Sequence, residues 1–196
     1  MKKEHDIRID RTMLHPWLDY RLGILLKKCA KKRIYLIITE GYRSKAYQDA
    51  LYAKGSTYSS QHMWGIAFDI AINDSRLLYD HVILKKVAKI AKKIGLGWGG
   101  DWKSIVDTPH FYLTKWGSTT ATLKTIYTTP DVFRKTWKKK VKRSKGLLLW
   151  RAQSKLTGSY LRIPNGATVD VLYAKGWYMK VRYRGKVGYV NRKFVK

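Results

Sequence analysis

Apolar residues at Leu18, Leu22, Leu25, Leu26 and Cys29, with lysines between them, follow a near-helical spacing over 17–33. Cys29 lies on that apolar face, and no activating group adjoins it in sequence, so it reads as a small core residue. Residues 34–39 are rich in β-branched side chains and predict a strand. Gly41-Tyr42-Arg43-Ser44 breaks that strand, and Ser44 is placed to cap a helix through Ala46, Ala50 and Leu51, ended by Gly55. A polar loop is expected over 56–61. Residues 65–72 alternate: Gly65, Ala67, Asp69 and Ala71 on one face, Ile66, Phe68, Ile70 and Ile72 on the other. A long helix is expected over 75–94, apolar at Leu78, Val82, Val87, Ile90 and Ile94 and closed by Gly95. A Gly/Trp-rich loop over 95–102 and a short strand over 110–113 follow. Strands and helices without a regular βαβ rhythm predict an α+β domain, a small sheet flanked by helices, over 1–117.

The pattern changes after that. Threonines cluster from Thr119 to Thr129, and the run from Arg134 to Lys145 has few apolar positions, so 118–145 reads as a linker, in part helical. From Leu147 onward, five short β-rich runs are separated by turn signals at Pro164-Asn165-Gly166, Ala174-Lys175-Gly176 and Arg184-Gly185. This spacing predicts a small all-β barrel over 146–196.

Charge sharpens the division. The 196 residues carry a formal net charge of +28. Residues 1–117 hold 21 Lys+Arg and 11 Asp+Glu; residues 118–196 hold 20 and 2. Carboxylate chemistry therefore belongs to the first part, and the second is a cationic module for a polyanion. No apolar run reaches the ~18 residues of a membrane span. No apolar segment follows the charged N-terminus, so no secretory signal peptide is expected. One cysteine excludes an internal disulfide and a multi-cysteine metal site.

Two imidazoles and a carboxylate, His62, Asp69 and His110, form a donor set suited to catalytic zinc with water in the fourth position. His62 precedes a strand, Asp69 lies in it, and small Gly65 and Ala67 leave room beside them. Asp107 sits three residues before His110 on a segment stiffened by Pro109, within reach of a water at that metal. Arg43 and Gln48 bracket a helix start, and a cation there suits a developing oxyanion. Each also has an ordinary reading: a polar histidine at a strand end, a turn aspartate, a surface arginine.

Ser60-Gln61-His62-Met63-Trp64-Gly65-Ile66-Ala67-Phe68-Asp69 resembles the first zinc motif of the D-alanyl-D-alanine and L-alanyl-D-glutamate metallopeptidases. Gly97-Trp98-Gly99-Gly100-Asp101-Trp102-Lys103-Ser104, then Asp107-Thr108-Pro109-His110-Phe111, resembles the second. Asp-x-x-His rather than Glu-x-x-His is closest to the L-alanyl-D-glutamate endopeptidase branch, as in certain phage endolysins. Gly41-Tyr42-Arg43-Ser44 with Gln48 is similar to the family's substrate-binding arginine and glutamine. The resemblance spans about residues 14–113 and implies zinc on His62, Asp69 and His110, Asp107 as general base and acid, and Arg43 as the oxyanion or substrate clamp. It implies Gln48 and Ser60 as substrate contacts. Trp102, and Trp98 beside it, are expected to wall the cleft or pack. His5, His15 and His81 match nothing in it.

Residues 146–195 resemble a bacterial SH3 domain of the cell-wall-binding kind, on Gly166-Ala167-Thr168-Val169-Asp170-Val171-Leu172, Gly176-Trp177-Tyr178-Met179-Lys180-Val181 and Gly185-Lys186-Val187-Gly188-Tyr189-Val190. Trp177, Tyr178 and Tyr183 are its expected wall-binding residues. Together the two resemblances imply an endolysin-like peptidoglycan hydrolase, cutting between L-Ala and D-Glu. Such an enzyme is expected to be made in the cytoplasm, released by a holin-type route or lysis, and to act as a monomer. Anionic wall polymers such as teichoic acid are its expected further partner, with no specific nucleic acid. The alternatives are a D-Ala-D-Ala carboxypeptidase of the same fold and a non-catalytic, zinc-containing binder of wall polymer or another polyanion such as nucleic acid.

Overall fold

The computed structural model describes residues 4–54, 59–153 and 158–196. The expected helix end at Gly55 and the first half of the polar loop over 56–61 lie outside them. The chain divides into two units, residues 1–130 and 131–196.

In the first unit the elements run β1 (Asp6–Ile7), α1 (Pro16–Ala30), β2 (Leu36–Glu40), α2 (Lys45–Tyr52), β3 (Ala67–Ile72), α3 (His81–Lys92), β4 (Leu96–Trp98), β5 (His110–Leu113) and α4 (Ala121–Tyr127). The strands form one sheet in the order β1-β2-β3-β5-β4. The β1–β2 pair is parallel and the others antiparallel. Central β3 is covered on both faces, which explains its nearly continuous apolar sequence. Against the sheet pack α1, through Leu18, Leu22, Leu25 and Cys29, and α3, through Leu84, Val87, Ala88 and Ala91.

The helix expected over 75–94 starts six residues late. Asp80 caps it, its side chain accepting from the Ile83 amide, and residues 75–80 form turns. Its buried face is also shifted: Leu78 and Val82 are exposed, whereas Leu84, Val87, Ala88 and Ala91 make the i, i+3, i+4, i+7 stripe. Ser44 caps α2 as expected, accepting from the Tyr47 amide.

Residues 118–145, expected as a linker, carry α4, then α5 (Pro130–Lys135) and β6 (Lys138–Lys140). β6 pairs with β9 (Thr168–Lys175) in the second unit's sheet. The remaining strands are β7 (Leu147–Trp150), β8 (Ser159–Ile163), β10 (Tyr178–Tyr183) and β11 (Lys186–Asn191), in the order β6-β9-β10-β11-β7-β8. Among the described residues the unit is all-β apart from α5 and a short 3-10 turn. Its edge strands β6 and β8 do not pair with each other among the described residues, so the expected small barrel is here an unclosed sheet. Its core gathers Val141, Leu147, Leu149, Ile163, Val169, Val181 and Val190. Asp170 is buried and held by Lys138 at 2.7 Å and by two nitrogens of Arg182. Lys138 thus turns a strand of three lysines towards a partner within its own sheet. Among the described residues, no helix is long and apolar enough to cross a membrane.

Candidate metal centre and active site

Sheet register builds the site. Asp69 pairs with Glu40 of β2 on one side and with His110 of β5 on the other, so three polar residues stand in a row across neighbouring strands. His62 comes from a 3-10 turn, Gln61–Trp64, that leads into β3. Ser60 caps the turn, and Gly65 ends it at φ +67°. A Cβ at Gly65 would stand 2.8 Å from the Met13 carbonyl oxygen, so both backbone and space demand glycine there.

The row and the turn bring three atoms together. His62 Nε2 lies 3.2 Å from Asp69 Oδ1 and 3.2 Å from His110 Nδ1, and His110 Nδ1 lies 3.0 Å from Asp69 Oδ1. Among the described residues this is the one cluster of three or more metal-ligating side chains. The outer nitrogens are already committed. His62 Nδ1 is 2.6 Å from the Gly41 carbonyl, and His110 Nε2 is 2.8 Å from Gln61 Oε1, both of which only accept. Each ring therefore donates outwards, and an inner nitrogen carries a proton only if its ring is charged. Two imidazole lone pairs and a carboxylate oxygen then converge on one point, an arrangement a divalent cation relieves. A tetrahedral zinc with bonds of about 2.0–2.1 Å sets its ligands about 3.3 Å apart, close to this triangle. The donor set and its outer hydrogen bonds thus fit zinc.

Electrostatics support the same reading. Burial opposes ionisation of Asp69, but hydrogen bonds and positive charge from His110 and His62 overcome it and hold the carboxyl far below the usual range. Burial pushes Asp107 up from the ordinary carboxylate value; His110 pulls against this and the charge of Asp69 adds to it. Asp107 is fixed by its backbone, its amide donating to the Gly99 carbonyl and its own carbonyl accepting from the His110 amide.

Arg43 is held by Glu40, which takes Nε and Nη2 at 2.5 Å each, and Nη2 lies 3.8 Å from Asp69. Burial opposes the charge of Arg43, yet Glu40 and Asp69 outweigh it and hold the guanidinium protonated more firmly than usual. Gln48, expected as a substrate contact, is fully buried, and its Oε1 accepts from Arg43 Nη1 at 3.3 Å. That places it behind Arg43 rather than in the cleft. Ser60 is buried as well, its hydroxyl accepting from the His62 amide. The Trp102 ring lies 5.1 Å from that of His110, and its indole N–H donates to the Tyr112 hydroxyl. Trp98 is buried, its indole donating to the Thr108 carbonyl, which makes it a packing residue. His5 and His15 serve the backbone, and His81 is exposed on α3.

Two cavities open at this centre, and Asp107 lines both. One, of about 660 Å³, is bounded by Arg43, Ser60, His62, Trp102, Lys103 and His110. The other, of about 570 Å³, is bounded by Asp69 and by Tyr42, Tyr47 and Tyr79. In the second unit Trp177 is exposed at the β9–β10 turn, Tyr178 is half-buried, and Tyr183 packs against the core with Arg184 over its ring.

Sequence reasoning missed Glu40 and Gln61. Glu40 had a signal, a lone acid ending an apolar strand three residues before Arg43. Gln61 had none, because its role arises only once His110 arrives from 49 residues away.

A His-Asp-His triangle with an aspartate and an arginine beside it is the centre of a metallopeptidase, and the comparisons agree. Residues 53–113 match a family model described as D-alanyl-D-alanine carboxypeptidase. A curated relative is 34% identical over 119 residues, covering 50% of this chain and 71% of the relative; the chain belongs to the peptidase M15 family. That relative is the peptidoglycan L-alanyl-D-glutamate endopeptidase CwlK of Bacillus subtilis (strain 168). The L-alanyl-D-glutamate peptidase of Listeria phage A118 is 35% identical over 83 residues, 39% of this chain and 30% of the phage protein. Among solved structures, the Serratia marcescens L-Ala D-Glu endopeptidase ChiX superposes with a TM-score of 0.47 at 26% identity, over 53% of this chain and 83% of that one. A vancomycin-resistance D,D-pentapeptidase VanY in complex with Zn(II) superposes with a TM-score of 0.42 at 17% identity, over 51% and 72%.

Proposed function

We propose that the chain is a zinc-dependent peptidoglycan endopeptidase that hydrolyses the L-Ala–D-Glu bond of the stem peptide. The observation that carries this reading is the triangle of His62, Asp69 and His110 opening beside Asp107. Its identity with L-alanyl-D-glutamate endopeptidases supports the choice of bond. Zinc held there would polarise the scissile carbonyl and acidify a water. Asp107, half-buried and reluctant to ionise, accepts the proton of the attacking water and returns it to the departing D-Glu amine. Arg43, its planar head fixed by Glu40 and Gln48, presents positive charge where the carbonyl oxygen becomes anionic. Ser60 and Trp102, which line the same cavity, orient the peptide.

The second unit is read as an SH3-like module that holds the enzyme on the wall. Residues 131–196 carry 19 Lys+Arg against Asp131 and Asp170, and Asp170 is already neutralised within the sheet. Lys180 sits over the rings of both Tyr173 and Tyr189, and Trp177 is exposed nearby in sequence. Such a surface suits an anionic wall polymer of the teichoic-acid class. An endolysin-like release from the cell, and action as a monomer, complete this reading.

The test is mass spectrometry of peptidoglycan digested with and without a chelator. Chelator-sensitive fragments with a new N-terminal D-Glu are expected. Released D-Ala would move the activity to the carboxypeptidase class that describes the matching family model. Zinc binding without cleavage of any wall type would leave a binding protein.

A further inference from the structure

The two cavities at the centre differ in chemistry. The larger presents the cations Arg43 and Lys103 with hydroxyl groups, and Asp107 is the one carboxylate among its lining residues. The smaller is lined by Asp10, Glu40, Asp69 and Asp107, of which Glu40 is paired with Arg43 and Asp69 belongs to the metal triangle; its one basic lining residue, Arg8, is engaged with Asp6 at 2.8 Å. It also gathers Tyr42, Tyr47 and Tyr79, of which Tyr47 is 52% and Tyr79 58% exposed. Large exposed aromatic rings converging on one cleft mark a contact surface.

A stem peptide is asymmetric about the L-Ala–D-Glu bond. On the D-Glu side lie free carboxylates. On the L-Ala side lies N-acetylmuramic acid, whose own carboxyl is spent in the amide to L-Ala, so the sugar side is neutral. Its pyranose rings offer C–H faces to aromatic rings and hydroxyl donors to carboxylates. A cleft whose basic lining residue is already engaged offers the D-Glu carboxylates no cation and suits the neutral sugar, while the larger cavity offers them Lys103.

We propose that the cleft of Tyr42, Tyr47 and Tyr79 is a subsite for the N-acetylmuramyl sugar, so that the enzyme distinguishes glycan-linked stem peptides from free ones. This rests on the endopeptidase reading above. Substrate then runs from the tyrosine cleft, across Asp69 and Asp107, into the cavity of Lys103.

The test compares two substrates with the zinc-loaded full chain: a disaccharide-linked stem peptide, and the same peptide carrying an N-acetyl group in place of the sugar. The disaccharide-linked substrate is expected to have a kcat/KM higher by about tenfold, the scale of one or two well-placed aromatic contacts. The exposed-site substitutions Tyr47→Ala and Tyr79→Ala, made together, are expected to erase that difference through KM. Equal rates with the wild-type chain, or a difference that survives the double variant, overturns the proposal. If neither substrate is cut, the endopeptidase reading is what fails. In that event, titration with the free disaccharide decides the subsite by NMR. Shifts at the Gly41 amide that Tyr79→Ala abolishes support it, and their absence overturns it.

Discussion

Gly99 offers a sharp test of how the active-site segment is held. It follows β4, and a Cβ at this position would stand 2.5 Å from the Asp107 carbonyl oxygen, 3.1 Å from His110 Cβ and 3.2 Å from Asp107 Cβ. Ordinary contact begins at about 3.4 Å, so Gly99→Ala demands a displacement of about 0.9 Å at the carbonyl. Backbone hydrogen bonds join Gly99 to Asp107 and Asp107 to His110, so the segment moves as one piece and takes a metal ligand and the proton carrier with it. Overpacking of this kind costs about 1–3 kcal/mol of stability. A misplacement approaching 1 Å costs up to about 100-fold in turnover. The assay is kcat on a muropeptide, beside urea unfolding and zinc affinity of the same preparation. The expected pattern is a small loss of stability, weakened zinc binding and a large loss of kcat. A variant with wild-type kcat and wild-type zinc affinity refutes the argument that packing against Gly99 sets the position of Asp107 and His110.

Other consequences can be checked in the same preparations. Burial raises Asp107 above its ordinary value, so the folded zinc-free chain binds an extra proton between the two values. Stability therefore falls as pH rises through that window, and ionised Asp107 is a net cost at neutral pH. Zinc-free Asp107→Asn is expected to melt no lower than wild type at pH 7, while the zinc-loaded variant loses turnover; a lower Tm contradicts this. Cys29 is buried, and burial pushes its thiol up to about 12, so a thiol reagent at pH 8 is expected to label it only after denaturation. Asp170→Ala leaves Lys138 and Arg182 without their shared anion and is expected to cost about 3 kcal/mol. Chemical denaturation of the full chain measures that loss, and a change below 1 kcal/mol would mean the triad contributes little.

Local pattern carried the reading of the chain furthest where one face is buried and a cap is unambiguous. Ser44 and the apolar stripe of α1 are examples, and β3, β5 and α2 lie close to where alternation and breakers put them. It failed where two signals competed. Ser75 and Asp80 both look like helix caps, and only packing of Leu84, Val87 and Ala91 against the sheet selects Asp80. β6 was invisible because Lys138-Lys139-Lys140 has no apolar residue; it pairs because Asp170 waits on the neighbouring strand. Two-residue β1 has too few positions to show any period. At the centre, the residue types His62, Asp69, His110 and Asp107 were legible from spacing and motif. The roles of Glu40 and Gln61 were not, since each follows from register between distant strands. Strand positions in the second unit were readable from turns, but closure of the sheet depends on edge pairing, which no local pattern encodes.

The cross-strand pairing of Asp69 with His110 joins residues 41 apart in sequence. All the chain between them, including α3 and β4, loops out and returns before the third ligand is in place. A ribosome that has released His62 and Asp69 but not yet β5 has made two-thirds of a donor set and no ion site. The ligand set is completed only when a single short strand, β5, has emerged. The stretch between the ligands is tied to the same ladder, since within it the Asp107 amide donates to the Gly99 carbonyl and the Asp107 carbonyl accepts from the His110 amide.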